Sequence, residues 1–123
     1  MTYDDVQAWL DRYVAAWRSN DPELIGDLFT EDATYRYYAY ADPERGRQAI
    51  VAGWLDDPDD PDSWEASYEP WAVDGNRAVA IGTSRYAPTG DKPERIFWNC
   101  FLLTFGSDGR CADLVEYYMK QPL

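Results

Sequence analysis

Arg95-Ile-Phe-Trp-Asn-Cys-Phe-Leu-Leu-Thr-Phe-Gly-Ser-Asp-Gly-Arg-Cys-Ala-Asp-Leu-Val-Glu-Tyr-Tyr-Met119 reads as two long strands joined by a tight turn. Residues 96–105 are rich in aromatic, Leu and Ile side chains, the types that fill a pleated, half-buried surface. Asp108-Gly109 supplies the positive φ of a hairpin turn. Side chains alternate across a strand, so one face of the first carries Phe97, Asn99, Phe101, Leu103 and Phe105. A two- or four-residue loop puts Ala112, Leu114, Glu116 and Tyr118 on that face, whereas a bulge would flip them. In this register Asn99 and Glu116 lie close together on a broad apolar wall. A carboxylate beside an amide is costly there unless it is hydrogen-bonded or protonated. The wall is therefore a candidate ligand pocket. The competing reading puts Glu116 on the outer face, against solvent or an arginine.

The 123 residues suit one domain, 1–123, with a real core. Aromatic residues make up 16% of the chain, six of them Trp and ten Tyr, more than a minimal core needs. Such rings line cavities for flat or apolar ligands, or simply fill a small core. The formal charge of −12 repels nucleic-acid phosphates and anionic lipid, so neither nucleic acid nor membrane is an expected partner. The chain has no His, the commonest general base and the commonest zinc ligand. Cys100 and Cys111 fall at different heights of the hairpin, Cys100 near Val115 and Cys111 near Thr104, and should not bridge. That, with no signal-like N-terminus and no membrane-length apolar run, gives a cytoplasmic expectation.

Thr2-Tyr-Asp-Asp5 has capping-box spacing, with Asp in place of Glu. Val6, Trp9, Leu10, Tyr13, Val14 and Trp17 follow at helical spacing and predict a first helix over 3–19. Asp21 and Pro22 start a short second helix, its buried face Leu24, Ile25, Leu28 and Phe29. Thr30-Glu-Asp is a turn, and Ala33–Tyr40 a strand with Tyr35 and Tyr37 on one face. A third helix spans 47–55, with Ile50, Val51, Trp54 and Leu55 inward. Asp56-Asp-Pro-Asp-Asp-Pro-Asp62 lacks the Gly and terminal Glu of a calcium loop and reads as a solvated loop. Strands follow at 64–73 and 77–86 around Asp74-Gly75-Asn76. Trp71 and Val73 read as sheet packing. Ala78, Ala80, Gly82 and Ser84 share one side of the next strand, so something packs close there. Helices grouped before a mostly antiparallel sheet give an α+β fold. One sheet of this length must curl under the first helix, leaving a cone with an opening.

Several stretches in order resemble the nuclear transport factor 2-like superfamily, in particular its SnoaL-like branch. They are Tyr13-Val-Ala-Ala-Trp17, Asn20-Asp-Pro-Glu-Leu-Ile-Gly-Asp-Leu-Phe29, Glu31-Asp-Ala-Thr-Tyr35, Gly46 before Ile50 and Trp54, and Asp108 to Tyr118. The resemblance covers nearly the whole chain. It implies a cone-shaped α+β barrel of a curved sheet covered by three N-terminal helices, often a homodimer through the outer sheet face. Members include ketosteroid isomerases, polyketide cyclases, dehydratases and hydrolases, besides non-catalytic binders, so fold does not settle function. Tyr13 sits where the isomerases place a pocket tyrosine on the first helix. Glu116 is the nearest match to the cyclases' acid on the last strand. The isomerases' two pocket carboxylates have no clear match here. Related sequences often carry an Asp just after the closing aromatic pair, where this chain has Met119.

Three functions fit these observations. In the first, an enzyme moves protons on a small apolar or polycyclic substrate. Glu116 is the acid/base, and Asn99, Tyr13 or Tyr35 supports a developing oxyanion. Such chemistry needs no cofactor, and no Gly-rich phosphate loop or metal cluster is evident. In the second, Trp17, Tyr35, Tyr37, Trp54, Phe97, Phe101 and Tyr118 line a pocket that only binds its ligand. In the third, the rings are all core and Trp98, Tyr117 and Arg85 belong to a sheet-to-sheet interface.

Overall fold

The structure is a computed structural model and describes residues 1–122. Helix α1 runs Tyr3–Ser19. Thr2 accepts from the Asp5 amide and Asp5 returns a bond to the Thr2 amide, so both orphan donors are satisfied. The helix ends at Asn20, whose φ of 53° makes a left-handed cap. Helix α2 covers Pro22–Gly26 behind the Asp21 cap. Strand β1 spans Phe29–Arg36, β2 is the pair Glu44–Arg45, and helix α3 covers Arg47–Asp56. Four long strands complete the chain: β3 Trp64–Asp74, β4 Arg77–Tyr86, β5 Arg95–Phe105 and β6 Cys111–Lys120. The α+β class and the three helices match the expectation.

The six strands form one sheet in the order β2-β1-β6-β5-β4-β3. Only the β1–β6 pair is parallel. The curved sheet has two edges and is not closed, in keeping with the expected cone with an opening. Helix α1 covers the β3 edge and runs antiparallel to it. The Met1 amine bonds to Gly75 O, the Gln7 amide to Tyr68 O, and Arg18 to the carbonyls of Pro61 and Trp64. A long unpaired edge would otherwise invite pairing with another chain.

Two bulges decide which side chains face inward. In β3 the register slips between Pro70 and Ala72, leaving Trp71 as an extra residue. Val73 therefore stays on the inner side, and Pro70, Tyr68, Ala66 and Trp64 face inward below the bulge. Trp71 points outward and is 71% exposed, which corrects its reading as packing. Proline has no N–H to give the ladder and favours such sites. In the β5–β6 hairpin a second slip pairs Phe105 with Cys111, but Thr104 with Asp113. Cys111 is fully buried and Ala112 is not, the reverse of the simple-turn expectation. The five-residue loop and the bulge offset each other, so Leu114, Glu116 and Tyr118 keep the inward side.

The hairpin register also differs, by two residues at Cys100 and by one at Cys111. Cys100 pairs with Tyr117, not Val115, and Cys111 with Phe105. Both thiols are free. Glu116 lies opposite Phe101, and Asn99 opposite Tyr118. At the other end of the chain, β1 starts at Phe29 with an irregular run through Thr30–Ala33, and it stops at Arg36. Thr30–Asp32, predicted as a turn, lie within this strand, and residues 37–40, predicted as its end, lie beyond it. Leu24 of α2 is 48% exposed rather than buried, while Ile25, Leu28 and Phe29 are in the core. At the base of the core the rings of Phe29 and Phe105 meet Trp9 edge-on. The Trp9 indole N–H bonds to Leu28 O at 3.0 Å.

Candidate functional site

Helix α1 delivers side chains to the site one turn apart. Trp9 belongs to the core, Tyr13 to the floor of a cavity, and Trp17 to its mouth, each four residues on. The cavity holds about 340 Å³. Its wall comes from α1, β1, α3 and all four long strands.

Two hydrogen-bonded groups of polar side chains sit in this wall. In the first, Tyr35 donates to Glu116 Oε1 at 2.7 Å, and the Tyr13 hydroxyl lies 2.9 Å from that of Tyr35 and 3.5 Å from the same carboxylate oxygen. Each phenol has one proton. With the Tyr35 proton on Glu116, the short contact between the phenols is Tyr13 donating to Tyr35. The other carboxylate oxygen, Oε2, accepts no hydrogen bond among the described residues. Burial pushes Glu116 up from 4.5 to about 7, against the two phenol bonds, which act to lower it. Burial and then the Glu116 charge hold Tyr13 and Tyr35 well above the ordinary phenol range. The same two causes, in the same order, raise Tyr37 and Tyr68. Near neutral pH these phenols are therefore donors, and the carboxyl populates both of its forms.

The second group starts at Asn99. Its amide donates to the Tyr68 hydroxyl at 3.2 Å and to Ser84 Oγ at 3.1 Å. Asn99 does not touch Glu116 by a hydrogen bond; Tyr68 takes the place expected of that carboxylate. Tyr68 can lie across β4 because Gly82 is its cross-strand partner. A Cβ at Gly82 would fall 2.5 Å from Tyr68 Cδ1 and 2.9 Å from Tyr68 Cα. The ring then stacks on Phe101, centroids 4.9 Å apart, so the two polar groups flank one phenylalanine. Ala78, Ala80 and Ser84, buried on the same side as Gly82, are the small-residue stripe seen in the sequence.

At the mouth Trp17 stacks on Trp64 at 3.6 Å and gives its indole N–H to Asp59 Oδ2 at 3.0 Å. Asn20 donates to Asp59 O at 3.4 Å. Part of the acidic loop is thus turned into the site: Asp57 and Asp59 both line the cavity. Tyr37, which also lines it, has a buried hydroxyl with no partner among the described residues.

The ten residues singled out from sequence, from Tyr13 to Tyr118, all lie in this one wall. The sequence reading missed Tyr68, Ser84 and Tyr86 of the sheet, Asn20, Gly53, and the two aspartates. The signal for Tyr68 was Gly82 on the neighbouring strand, hidden by the bulge at Trp71. Among the described residues no cluster of three or more acidic or sulfur side chains is placed to hold a metal ion. No helix among them is long and apolar enough to cross a membrane.

The SnoaL-like domain family matches residues 10–114. The chain belongs to the SnoaL-like family. No curated protein sequence matches it. Among solved structures, a nuclear transport factor 2-like protein of unknown function from Burkholderia xenovorans LB400 is similar with a TM-score of 0.72 at 18% identity, over 98% of this chain and 86% of that one. SalBIII, an epoxide hydrolase/cyclase-like enzyme with a role in pyran ring formation in the polyether salinomycin, gives 0.68 at 16% identity, over 91% and 88%. An LEH-like epoxide hydrolase from M. tuberculosis gives 0.69 at 14% identity, over 95% and 84%. At these identities the likeness establishes the shared fold of this SnoaL-like chain with all three.

Proposed function

We propose that this SnoaL-like chain binds a small molecule in the cavity and acts on it by acid–base proton transfer, as an isomerase, cyclase or dehydratase without a cofactor. One observation carries the reading. Glu116 has Oε1 tied down by Tyr35, itself held by Tyr13, while Oε2 is left without a partner in the cavity wall. A carboxyl near neutrality can take a proton from a substrate carbon or hydroxyl and return it to a substrate oxygen. The Tyr68 hydroxyl, held by Asn99, is the second donor for charge that develops on that oxygen. Asn99 positions this donor rather than making the contact itself, because both of its N–H groups are engaged. The epoxide-processing neighbours add ring opening by the protonated acid to the reactions worth assaying.

The test needs no known substrate. Deuterium wash-in from D₂O into 2-tetralone, followed by NMR, reads general-base action directly. Hydrolysis of styrene oxide reads acid-assisted opening. The wild type accelerates at least one of the two, and Glu116→Gln loses about 10²-fold or more of that rate while staying folded. Equal rates in both proteins would remove Glu116 from the chemistry.

The protein acts as a homodimer through the outer sheet face, where Trp98, Tyr117 and Met119 are exposed. Light scattering checks this: the wild type runs at twice the monomer mass and Trp98→Glu at the monomer mass. A wild-type monomer at micromolar concentration would refute it.

A further inference from the structure

The cavity wall has an electrostatic sign that proton-transfer chemistry alone does not require. Ten aromatic rings line it, together with three carboxyl groups: Asp57, Asp59 and Glu116. Among the described lining residues there is no Lys or Arg. A nearby basic side chain, Arg95, is not among the lining residues; its guanidinium lies 4.8 Å from the centre of the Tyr86 ring, and its buried Nε has no hydrogen-bond partner among the described residues. The remaining polar groups are hydroxyls and amides.

An anionic ligand would enter against charge of its own sign and meet no basic partner. A neutral ligand would gain ring contacts but leave the carboxyls uncompensated. A cation gains from both, since ring π-systems attract positive charge and the carboxylates supply the counter-charge. The chain's net charge of −12 draws a cation toward the molecule before contact. The placement of the acids suits such a path. Asp57 is exposed and Asp59 half-buried at the mouth, while Glu116 lies among the buried rings of Tyr13, Tyr35 and Phe101. Asp59 is held by the Trp17 indole and the Asn20 amide, so the mouth presents a fixed carboxylate rather than a mobile one.

We propose that the ligand of this cavity is an organic cation, its ammonium group held among the rings with Glu116 as counter-ion and Asp57 and Asp59 at the entrance. The proposal rests on reading the cavity as the ligand site and names the class of compound it takes. It also gives a function to the unpartnered Oε2, which becomes the oxygen that faces the ammonium group. A bound cation favours the ionised carboxylate, so ligand binding displaces a proton from Glu116 at and below neutral pH. The groups that face Glu116 from the packed elements are Tyr13 of α1, Tyr35 and Tyr37 at the end of β1, Tyr68 of β3, Tyr86 of β4 and Tyr118 of β6. Burial comes first among the causes that raise the first five, and the hydrogen bond with Tyr38 raises Tyr118. None of these phenols ionises near neutrality.

Three probes of nearly one shape separate charge from size: choline, its neutral carbon isostere 3,3-dimethylbutan-1-ol, and the anion 3,3-dimethylbutanoate. Binding is read by tryptophan fluorescence and calorimetry. Choline should bind the wild type at least about tenfold more tightly than the alcohol, and the anion more weakly than either. Glu116→Gln should lose most of that preference, and choline affinity should rise with pH through neutrality in the wild type only. Asp59→Asn should retain the preference and slow choline association at low salt. If the alcohol matches or exceeds choline, the cation proposal fails while the cavity remains a ligand site. If none of the three binds, both the proposal and the ligand-site reading fail.

Discussion

Replacing Glu116 with Gln should make the protein more stable, and by an amount that depends on pH. The Glu116 carboxyl moves from 4.5 in a free chain to about 7 in the folded protein. Between those two values the native state holds a proton that the unfolded chain has lost. Unfolding then releases protons, so the stability of the wild type falls as pH rises through this window. Above about 7 both states are ionised and the loss is complete. The displacement, at about 1.4 kcal/mol per pH unit, is worth roughly 3 kcal/mol at full effect. The side chain retains some access through the cavity, which makes this figure an upper bound. Gln has nearly the same shape and keeps an acceptor for Tyr35, but it carries no charge at any pH. Urea unfolding followed by tryptophan fluorescence at pH 5, 6, 7 and 8 gives both stability curves. The gap between Glu116→Gln and wild type should widen in favour of the variant by roughly 2–3 kcal/mol from pH 5 to pH 8. Parallel curves would refute the reasoning, because they would mean that the carboxyl is no harder to ionise in the folded protein than in the free chain.

Three further perturbations separate the parts of the site. Gly82→Ala should cost about 3 kcal/mol or more in urea unfolding and weaken ligand binding, since the added methyl meets the Ser67 carbonyl and the Tyr68 backbone and ring and forces β3 to shift; unchanged stability would mean that the strands have room to spare. Tyr35→Phe removes a bond that lowers the Glu116 pKa, so a carbon-detected NMR titration should show Glu116 moving further up; a downward move would rule out Tyr35 as its donor. Thr2→Ala should cost about 1 kcal/mol by breaking the capping box while leaving cavity binding unchanged, and a loss of binding would show that α1 is less rigid than its packing implies.

The parts of this fold that were legible in the sequence are those fixed locally. The span of α1 follows from a cap, an apolar stripe and a polar stop, all within twenty residues. The ends of β4 follow from a turn before it and a Pro-rich loop after it. The site residues on β5 and β6 were legible through alternation, because the extra residue at Ala112 compensates an odd loop length. The bulge at Trp71 has no such compensation. It reverses the inward face of β3 and took Tyr68 out of the sequence reading. A bulge forms where the whole sheet must bend, and that requirement is distributed over strands far apart in the chain. Asp59 was missed for a similar reason. The acidic loop correctly reads as a turn-rich, solvated segment, but contacts from far along the chain, the Trp17 indole 42 residues away and the Asn20 amide, turn Asp59 into the site.

The same distribution explains how a buried acid is tolerated here. A single carboxyl among rings would ordinarily be protonated or lost from the core. In this chain it sits one helical turn above the tightly packed base of Trp9, Phe29 and Phe105, where the layer is already committed to phenols. The Tyr35 hydroxyl, backed by that of Tyr13, solvates one carboxylate oxygen without water, and both ring bodies still bury apolar area. Tyr68 repeats the device on the far side of Phe101, with Asn99 in the role of fixing partner. The site is thus a layer of amphipathic rings laid between an apolar base and an acidic mouth. The polarity gradient along α1, from Trp9 through Tyr13 to Asn20, is the one-dimensional trace of that layering. It follows that exchanging a phenol for phenylalanine in this layer alters the state of the carboxyl more than the packing, whereas the same change of size at the base alters the packing alone.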